Sequence, residues 1–410
     1  MSRLPFLFIF TGIIGFAWYQ AVSLAAFTGW LTGELRGPDG WFHVHLFILG
    51  WATMLAMGAV YQLIGVILQS RLYSERLGYV QYAIFTVGLA GLLYGFDQGV
   101  IAWIAGSAVL ALVGIALFGW NIAVTLIRAA RWNAITVSAA CAVLYLALTG
   151  LSGLAMGLNF ATGDWTGLAE RLFGAHIWMG TVGWFGLLIT GFSYKLLPMF
   201  YLAHDYPVKL QAVVLVLWNA SVLVGALAFL LDASVWLLWF ALLLLTAAIV
   251  VYNVHLLQIR RHRHKRNPGS GIRWSLLSSH MLALSAVAML IYAALYPDRW
   301  LQADAVRLAG WLYLAGWVSF TILSYVSKIV PFLWWTSKYG KHAGKPGTPV
   351  MADLLKERPV GIGLASIAAL HLLLAAGLLT GWETLTGAAG SVLSVCSVAY
   401  IVLIGRVFTR

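Results

Sequence analysis

Charged residues are scarce in this chain of 410 residues: only 9% are Asp, Glu, Lys or Arg, while 62% are hydrophobic. A soluble globular domain carries about 25% charged residues, so the composition excludes that class. A membrane-spanning helix takes ~20 predominantly apolar residues, and we find twelve such runs. They predict an all-α integral membrane protein with spans near 5–28, 42–69, 77–95, 100–127, 134–158, 175–202, 208–231, 233–258, 273–296, 306–335, 359–380 and 384–405.

Cysteine is also nearly absent. Cys141 and Cys396 fall in different predicted spans, and the chain has no CxxCH motif. This excludes covalent attachment of a c-type haem and a paired-cysteine metal site. No Asp or Glu lies in the middle of a predicted span, and a proton pump needs ionisable relays across the bilayer. We therefore expect no proton pumping.

The net charge of +12 is distributed unevenly along the chain. Cytoplasmic segments of membrane proteins are enriched in Lys and Arg. If the N-terminus is cytoplasmic, 21 of the 25 basic residues lie at the inner side. The sequence thus predicts a bacterial-type cytoplasmic membrane protein with both termini inside. The basic run RRHRHKR (260–266) adjoins a span, which predicts contact with anionic lipid headgroups and not with nucleic acid.

A repeat runs through the chain. The pair Gly50-Trp51 recurs at 183–184 and at 316–317, an interval of 133 residues both times (184 − 51 and 317 − 184). Similar stretches follow each pair: WATMLAMGAVYQLIG, WFGLLITGFSYKLLP and WVSFTILSYVSKIVP. We predict a single transmembrane domain, 1–410, of three pseudo-equivalent four-helix units near 1–132, 133–265 and 266–410. Common twelve-helix transporters are built from two halves instead.

Two histidines, His43 and His45, open the stretch WFHVHLFILGW at 41–51, and His176 matches His43 by the same interval. An ionisable residue within a span is a functional hypothesis by default. Side chains two residues apart on a helix point about 200° apart, so His43 and His45 are expected to face different crevices. This pattern suits axial ligands of haem iron. The alternative is that each ring hydrogen-bonds a backbone carbonyl.

These residues resemble a known family. The stretch HVHLFILGW, followed by Tyr61, is similar to the tenth helix of the catalytic subunit of haem-copper oxidases and nitric-oxide reductases. Compact haem-binding members of that superfamily, such as the NnrS family, are similar to this chain in length. The resemblance implies the subunit I fold of that superfamily. It also implies His45 and His176 as the axial pair of a low-spin haem, and His43 as the ligand of a second haem. The implied activity is electron transfer, or the binding or reduction of nitric oxide or oxygen at haem by an oxidoreductase.

The sequence departs from the family pattern in two ways. Its HxH pair lies on the first unit instead of the third, and only His371 is available for the copper site. One histidine cannot make a three-histidine copper centre, so we expect no complete one; an iron or copper ion held partly by His371 is an alternative. Arg171 and Arg307 are candidates for pairing with haem propionates. The alternative is that they are solvated in outer loops or pair with the neighbouring acids Glu170 and Asp304.

A second class of function uses the same histidines differently. A transporter or assembly factor for haem, copper or a small solute would coordinate its cargo transiently. A non-catalytic respiratory subunit would use the histidines structurally. The expected partners are membrane lipid, a quinol or cytochrome as electron donor, and either a second copy of the chain or other respiratory subunits.

Overall fold

The computed structural model describes residues 3–410, and this part of the chain is helical and contains no β-strand. Twelve of its helices are long and apolar enough to cross a membrane, which confirms the predicted all-helical membrane class. They are α1 Leu4–Ala25, α2 Pro38–Leu68, α3 Glu75–Gln98, α4 Ile101–Ala129, α5 Ala134–Thr162, α6 Thr166–Tyr201, α7 Lys209–Leu230, α8 Val235–Arg261, α9 Ser270–Leu295, α10 Ala303–Lys338, α11 Glu357–Thr380 and α12 Glu383–Thr409.

Local sequence signals explain where several helices begin and end. Pro38 begins α2, where its missing N–H costs nothing. The Ser74 hydroxyl and the Asn133 amide oxygen accept hydrogen bonds from backbone N–H groups in the first turns of α3 and α5. Gly99 and Gly381 follow α3 and α11 in the left-handed conformation that glycine adopts without strain. The apolar runs are therefore delimited by ordinary capping chemistry.

One boundary prediction was wrong by more than two turns. The apolar run predicts a span from residue 175, but α6 begins at Thr166. The added residues include Glu170 and Arg171, which interrupt the hydropathy pattern while remaining good helix formers. Both are exposed, so the helix continues beyond its apolar portion without burying their charges.

Helices α2, α6 and α10 contact one another. The Trp51 indole N–H of α2 donates to the Ser319 hydroxyl of α10 at 2.9 Å. The Tyr313 hydroxyl of α10 donates to the Thr181 carbonyl of α6 at 3.3 Å. Around these three, α4 packs against α5, α8 against α9, and α12 against α1. The first and last helices of the chain are thus neighbours.

A π-helical segment interrupts each of these three helices. The segments are Leu46–Thr53 in α2, Met179–Gly186 in α6 and Leu314–Ser319 in α10. Each contains one of the three Gly-Trp pairs, and the segments end at the 133-residue interval (186 − 53 and 319 − 186). π-Helix accounts for well under 1% of residues in proteins and is frequent at functional sites. The residues that come directly before each π-helical segment are therefore candidates for a functional site.

Candidate functional site

His45 is the last residue before the π-helical segment of α2, about 10 Å along the helix from Pro38 at 1.5 Å per residue. Its ring Nδ1 lies 2.7 Å from the carbonyl oxygen of Trp41. A carbonyl oxygen can only accept, so Nδ1 carries the proton and donates it. The lone pair of the neutral imidazole is therefore on Nε2, the atom available to bind a metal.

His176 of α6 is held in the same way by the neighbouring helix α5. Its Nδ1 lies 2.9 Å from the carbonyl oxygen of Thr149 and 3.2 Å from the hydroxyl of Ser152. The carbonyl again fixes the proton on Nδ1 and leaves Nε2 with the lone pair. Gly153 makes room for the ring, since a Cβ there would lie 3.1 Å from its Cε1.

The two imidazoles are neighbours at the α2–α6 contact. Their ring centroids are 6.3 Å apart and their planes are inclined by 35°. A metal–imidazole bond is about 2 Å long, and the ring centroid lies about 1 Å beyond the nitrogen. Two imidazoles that bind one metal from opposite sides therefore have ring centroids ~6 Å apart. Neither Nε2 makes a hydrogen bond within residues 3–410. The separation and the free nitrogens suit a shared axial metal.

Aromatic side chains surround this histidine pair. The Phe96 ring of α3 lies 4.8 Å from that of His45. Trp41 packs against both Phe96 and Phe160, with centroids 5.8 and 5.0 Å away. Such apolar, flat surfaces are the surroundings that a porphyrin face requires, and they limit access of water to the histidine pair.

His43 has different neighbours from His45, in agreement with the expected separation around the helix. Its Nδ1 lies 2.9 Å from the Asp39 carbonyl oxygen and 3.1 Å from an Asp39 carboxylate oxygen. Its ring stacks on Trp30, 5.1 Å away and inclined by 6°. Its Nε2 is buried and has no hydrogen-bond partner. A buried acceptor of this kind is costly when nothing binds it.

A small cavity lies between α1, α2, α10, α11 and α12. Thr28, Trp311 and His371 line it, and each has a buried polar atom without a hydrogen-bond partner: Thr28 Oγ1, Trp311 Nε1 and His371 Nδ1. The cavity measures ≈ 20 Å³, room for one water molecule. His371 is thus placed apart from the His45–His176 pair, in a largely apolar compartment with a few polar groups that fits a very small ligand.

The two candidate arginines have different environments. Arg307 pairs with Asp304 at 3.1 Å and donates to the Gly33 carbonyl at 3.1 Å, so it ties α10 to the α1–α2 connection. Arg171 is exposed and forms no ion pair among residues 3–410, because Glu170 pairs with Arg36 at 3.1 Å. Of the two acid pairings that the sequence left open, only that of Arg307 is formed.

Sequence reasoning missed the groups that hold the rings. The carbonyls of Trp41 and Thr149 carry no side-chain signal, and Ser152 and Gly153 lie on a helix without a motif. Within residues 3–410, no three His, Cys, Asp or Glu residues are grouped closely enough to hold a metal ion by themselves. The His45–His176 pair could supply two ligands, as many as a haem iron takes axially from the protein.

Comparison with known proteins adds no assignment: no family model matches this chain, and no curated protein matches it. The resemblance to the haem-copper oxidase superfamily therefore stays a prediction that rests on the histidine pattern and the repeat.

Proposed function

We propose that this protein is a haem-binding integral membrane protein, in which Nε2 of His45 and Nε2 of His176 bind one iron from opposite faces of the porphyrin. The observation that carries the proposal is the 6.3 Å separation of two imidazoles whose Nε2 atoms make no hydrogen bond within residues 3–410. The bonds from Nδ1 to backbone carbonyls are those that the structural alternative predicts as well, so they are compatible with both roles. Metal-binding histidines almost always donate their other ring N–H in this way, which fixes the tautomer and the ring orientation.

Another buried histidine provides a contrast. His255 of α8 has Gln211 at 3.1 Å from Nε2 and Gln258 at 3.4 Å from Nδ1. Both of its nitrogens are occupied by glutamine side chains, as expected of a structural histidine. His45 and His176 have only one nitrogen occupied each, and the free ones belong to neighbouring rings. This difference supports a ligand role for the pair.

A bound haem would supply one-electron exchange or a site for a diatomic gas such as nitric oxide or oxygen. The chain's own contribution is to hold the two rings. The carbonyls of Trp41 and Thr149 fix each imidazole, while Phe96 and Trp41 keep the surroundings apolar. Two strong axial ligands favour electron transfer at this haem, because they leave no open coordination position.

The architecture proposed with this function is that of three four-helix units of the haem-copper oxidase type, with both termini in the cytoplasm. The mutual contacts of α2, α6 and α10 support it, as do the π-helical segments at a common interval. His43 stays the predicted ligand of a second haem, and His371 an alternative ligand for iron or copper. Their unpaired nitrogens support both roles, although the cavity beside His371 has room for only one water molecule.

The proposal is tested on protein purified from cells supplied with a haem precursor. We expect a Soret band, a pyridine haemochrome that gives the haem type, and sharp α bands in the reduced-minus-oxidised spectrum. His255→Ala, which removes a histidine outside the His45–His176 pair, controls for the general effect of losing a buried histidine and should retain the haem. Substoichiometric haem that exchanges readily would favour the transporter or assembly-factor alternative, and complete absence of a Soret band would overturn haem binding.

A further inference from the structure

A second pocket, on the opposite side of the protein from the start of α2, is strongly basic. It has a volume of ≈ 200 Å³ and is lined by Tyr201, Arg260, Arg263, Arg266, Arg273, Leu276, Leu277 and His280. These residues come from the end of α6, the end of α8, the α8–α9 connection and the start of α9. Four arginines thus converge on one cavity without an acidic residue in its lining.

The arginines lack counter-ions inside the protein. No ion pair within residues 3–410 involves Arg260, Arg263, Arg266 or Arg273. The guanidinium groups of three of them, those of Arg260, Arg263 and Arg273, lie close enough to the Tyr201 hydroxyl to interact with it electrostatically. Like charges held together repel one another. An external anion would relieve this repulsion.

The backbone holds the basic segment in place. Ala203 and Arg263 form an isolated antiparallel bridge, and the Lys265 N–H donates to the Tyr201 carbonyl at 2.9 Å. The connection after α8 is therefore fixed against the end of α6. A prearranged set of guanidinium groups loses less conformational entropy on binding than a free basic tail. This favours a defined site over a diffuse charged surface.

The surroundings indicate the kind of anion. The cavity has ten times the volume of the one-water cavity beside His371, which is enough space for a phosphate group, and guanidinium binds phosphate oxygens bidentately. From the pocket, Leu277, Met281 and Leu284 form an exposed apolar ridge along α9, with 43%, 42% and 63% of each residue exposed. The ridge suits acyl chains that descend into the bilayer from a headgroup held by the arginines.

We infer that this pocket binds the phosphate of an anionic phospholipid, with the acyl chains along α9. Basic pockets between membrane helices on the cytoplasmic side bind such headgroups. The inference is independent of haem binding, because the pocket shares no residue with the histidine pair. A phosphate-bearing anion could also come from solution, and the two sources are separated experimentally.

The test compares two double variants of the same basic segment in the purified full-length protein. Arg260→Gln/Arg266→Gln removes two charges that line the pocket and make no hydrogen bond within residues 3–410. Arg261→Gln/Lys265→Gln removes two adjacent charges that do not line it. Binding of phosphatidylglycerol and of phosphatidylcholine with the same acyl chains is measured by native mass spectrometry, and inorganic phosphate is tested for thermal stabilisation.

We expect phosphatidylglycerol to bind at least tenfold more tightly than phosphatidylcholine. The pocket variant should lose about tenfold in phosphatidylglycerol affinity, and the adjacent variant less than twofold. Equal losses of phosphatidylglycerol affinity in both variants would show that general surface charge attracts the lipid, and would overturn the proposed site. Equal binding of the two lipids would also overturn it, and stabilisation by inorganic phosphate alone would assign the pocket to a free anion instead. Gel filtration of both variants establishes that they are folded.

Discussion

The rings of His45 and His176, on two different membrane helices, lie 6.3 Å apart, and each is anchored through Nδ1 to a backbone carbonyl. Two neutral imidazoles gain little from such proximity by themselves, since no hydrogen bond joins them. Their arrangement leaves two Nε2 lone pairs for a shared ligand. Most of the functional proposal follows from this relationship.

The first prediction concerns Gly153, which gives the His176 ring its space. In Gly153→Ala the new Cβ would lie 3.1 Å from Cε1 of His176, so the ring must shift and its bond to the Thr149 carbonyl weakens. Loss of an outer-shell partner typically costs 10–100-fold in metal affinity. We expect haem affinity to fall about 10-fold, measured by transfer of haem to an excess of an apo-haemoprotein.

Gly157→Ala, one turn further along α5, is the matched control. Its Cβ would lie 3.5 Å from that of Ala108, an ordinary contact. Both substitutions exchange glycine for alanine within a helix, which favours the helix by up to about 1 kcal/mol. If the two variants retain haem equally, the packing of Gly153 against the ring has no part in binding.

The second prediction concerns the contact between α2 and α10. Trp51 and Trp184 are both fully buried, but only the Trp51 indole N–H has a partner, Ser319; that of Trp184 has none. Interhelical hydrogen bonds in membrane proteins average ≈ 0.6 kcal/mol. We expect Trp51→Phe to lower the free energy of unfolding by about 1 kcal/mol more than Trp184→Phe, as measured by denaturant titration in mixed micelles. Equal losses would contradict the assigned role of the Trp51–Ser319 bond.

The third prediction concerns His43. Its buried Nε2 has no partner, and the resemblance implies that it binds a second haem. His43→Leu should then lower the haem-to-protein ratio while the low-spin spectrum of the first haem is unchanged. A ratio that is the same in wild type and variant would reject the second haem. In that case removal of an unsatisfied buried nitrogen should stabilise the protein.

The fourth prediction concerns a lysine whose role the sequence does not reveal. Lys328 of α10 donates to Glu357 of α11, whose other carboxylate oxygen accepts the Ser270 N–H of α9 at 2.6 Å. Lys328→Met should lower the free energy of unfolding by about 1 to 2 kcal/mol, which is between the losses typical of exposed and of buried ion pairs. Lys195→Met is the control, because Lys195 is exposed and has no partner among residues 3–410. Comparable thermal stability of the two variants would show that the contact among Lys328, Glu357 and Ser270 does not stabilise the protein.

The sequence predicted the helices well, because a long apolar run in a membrane has few alternatives to a helix. It was less accurate where polar residues extend a helix, as at 166–174, since hydropathy marks the apolar stretch and not the end of hydrogen bonding. It also selected His43, His45 and His176 as candidate ligands, because ionisable residues within membrane spans are rare; their role as ligands stays a prediction.

Other features had no sequence signal of their own. The anchors of His45 and His176 are backbone carbonyls, and the identity of a residue says nothing about its carbonyl. The π-helical segments depend on hydrogen bonding five residues apart, which a Gly-Trp pair does not specify. The basic pocket joins Tyr201 to Arg260 and Arg273, and only the packing of α6, α8 and α9 brings these together.

The central claim is that one iron joins His45 and His176. Electron paramagnetic resonance of the oxidised, haem-loaded protein tests it most directly, in wild type and in His45→Gly and His176→Gly, each with and without added imidazole. The account predicts a low-spin bis-imidazole signal in wild type, its loss in each variant, and its return when imidazole occupies the vacated space. A signal that persists in both variants, or a wild-type protein without such a signal, would contradict it.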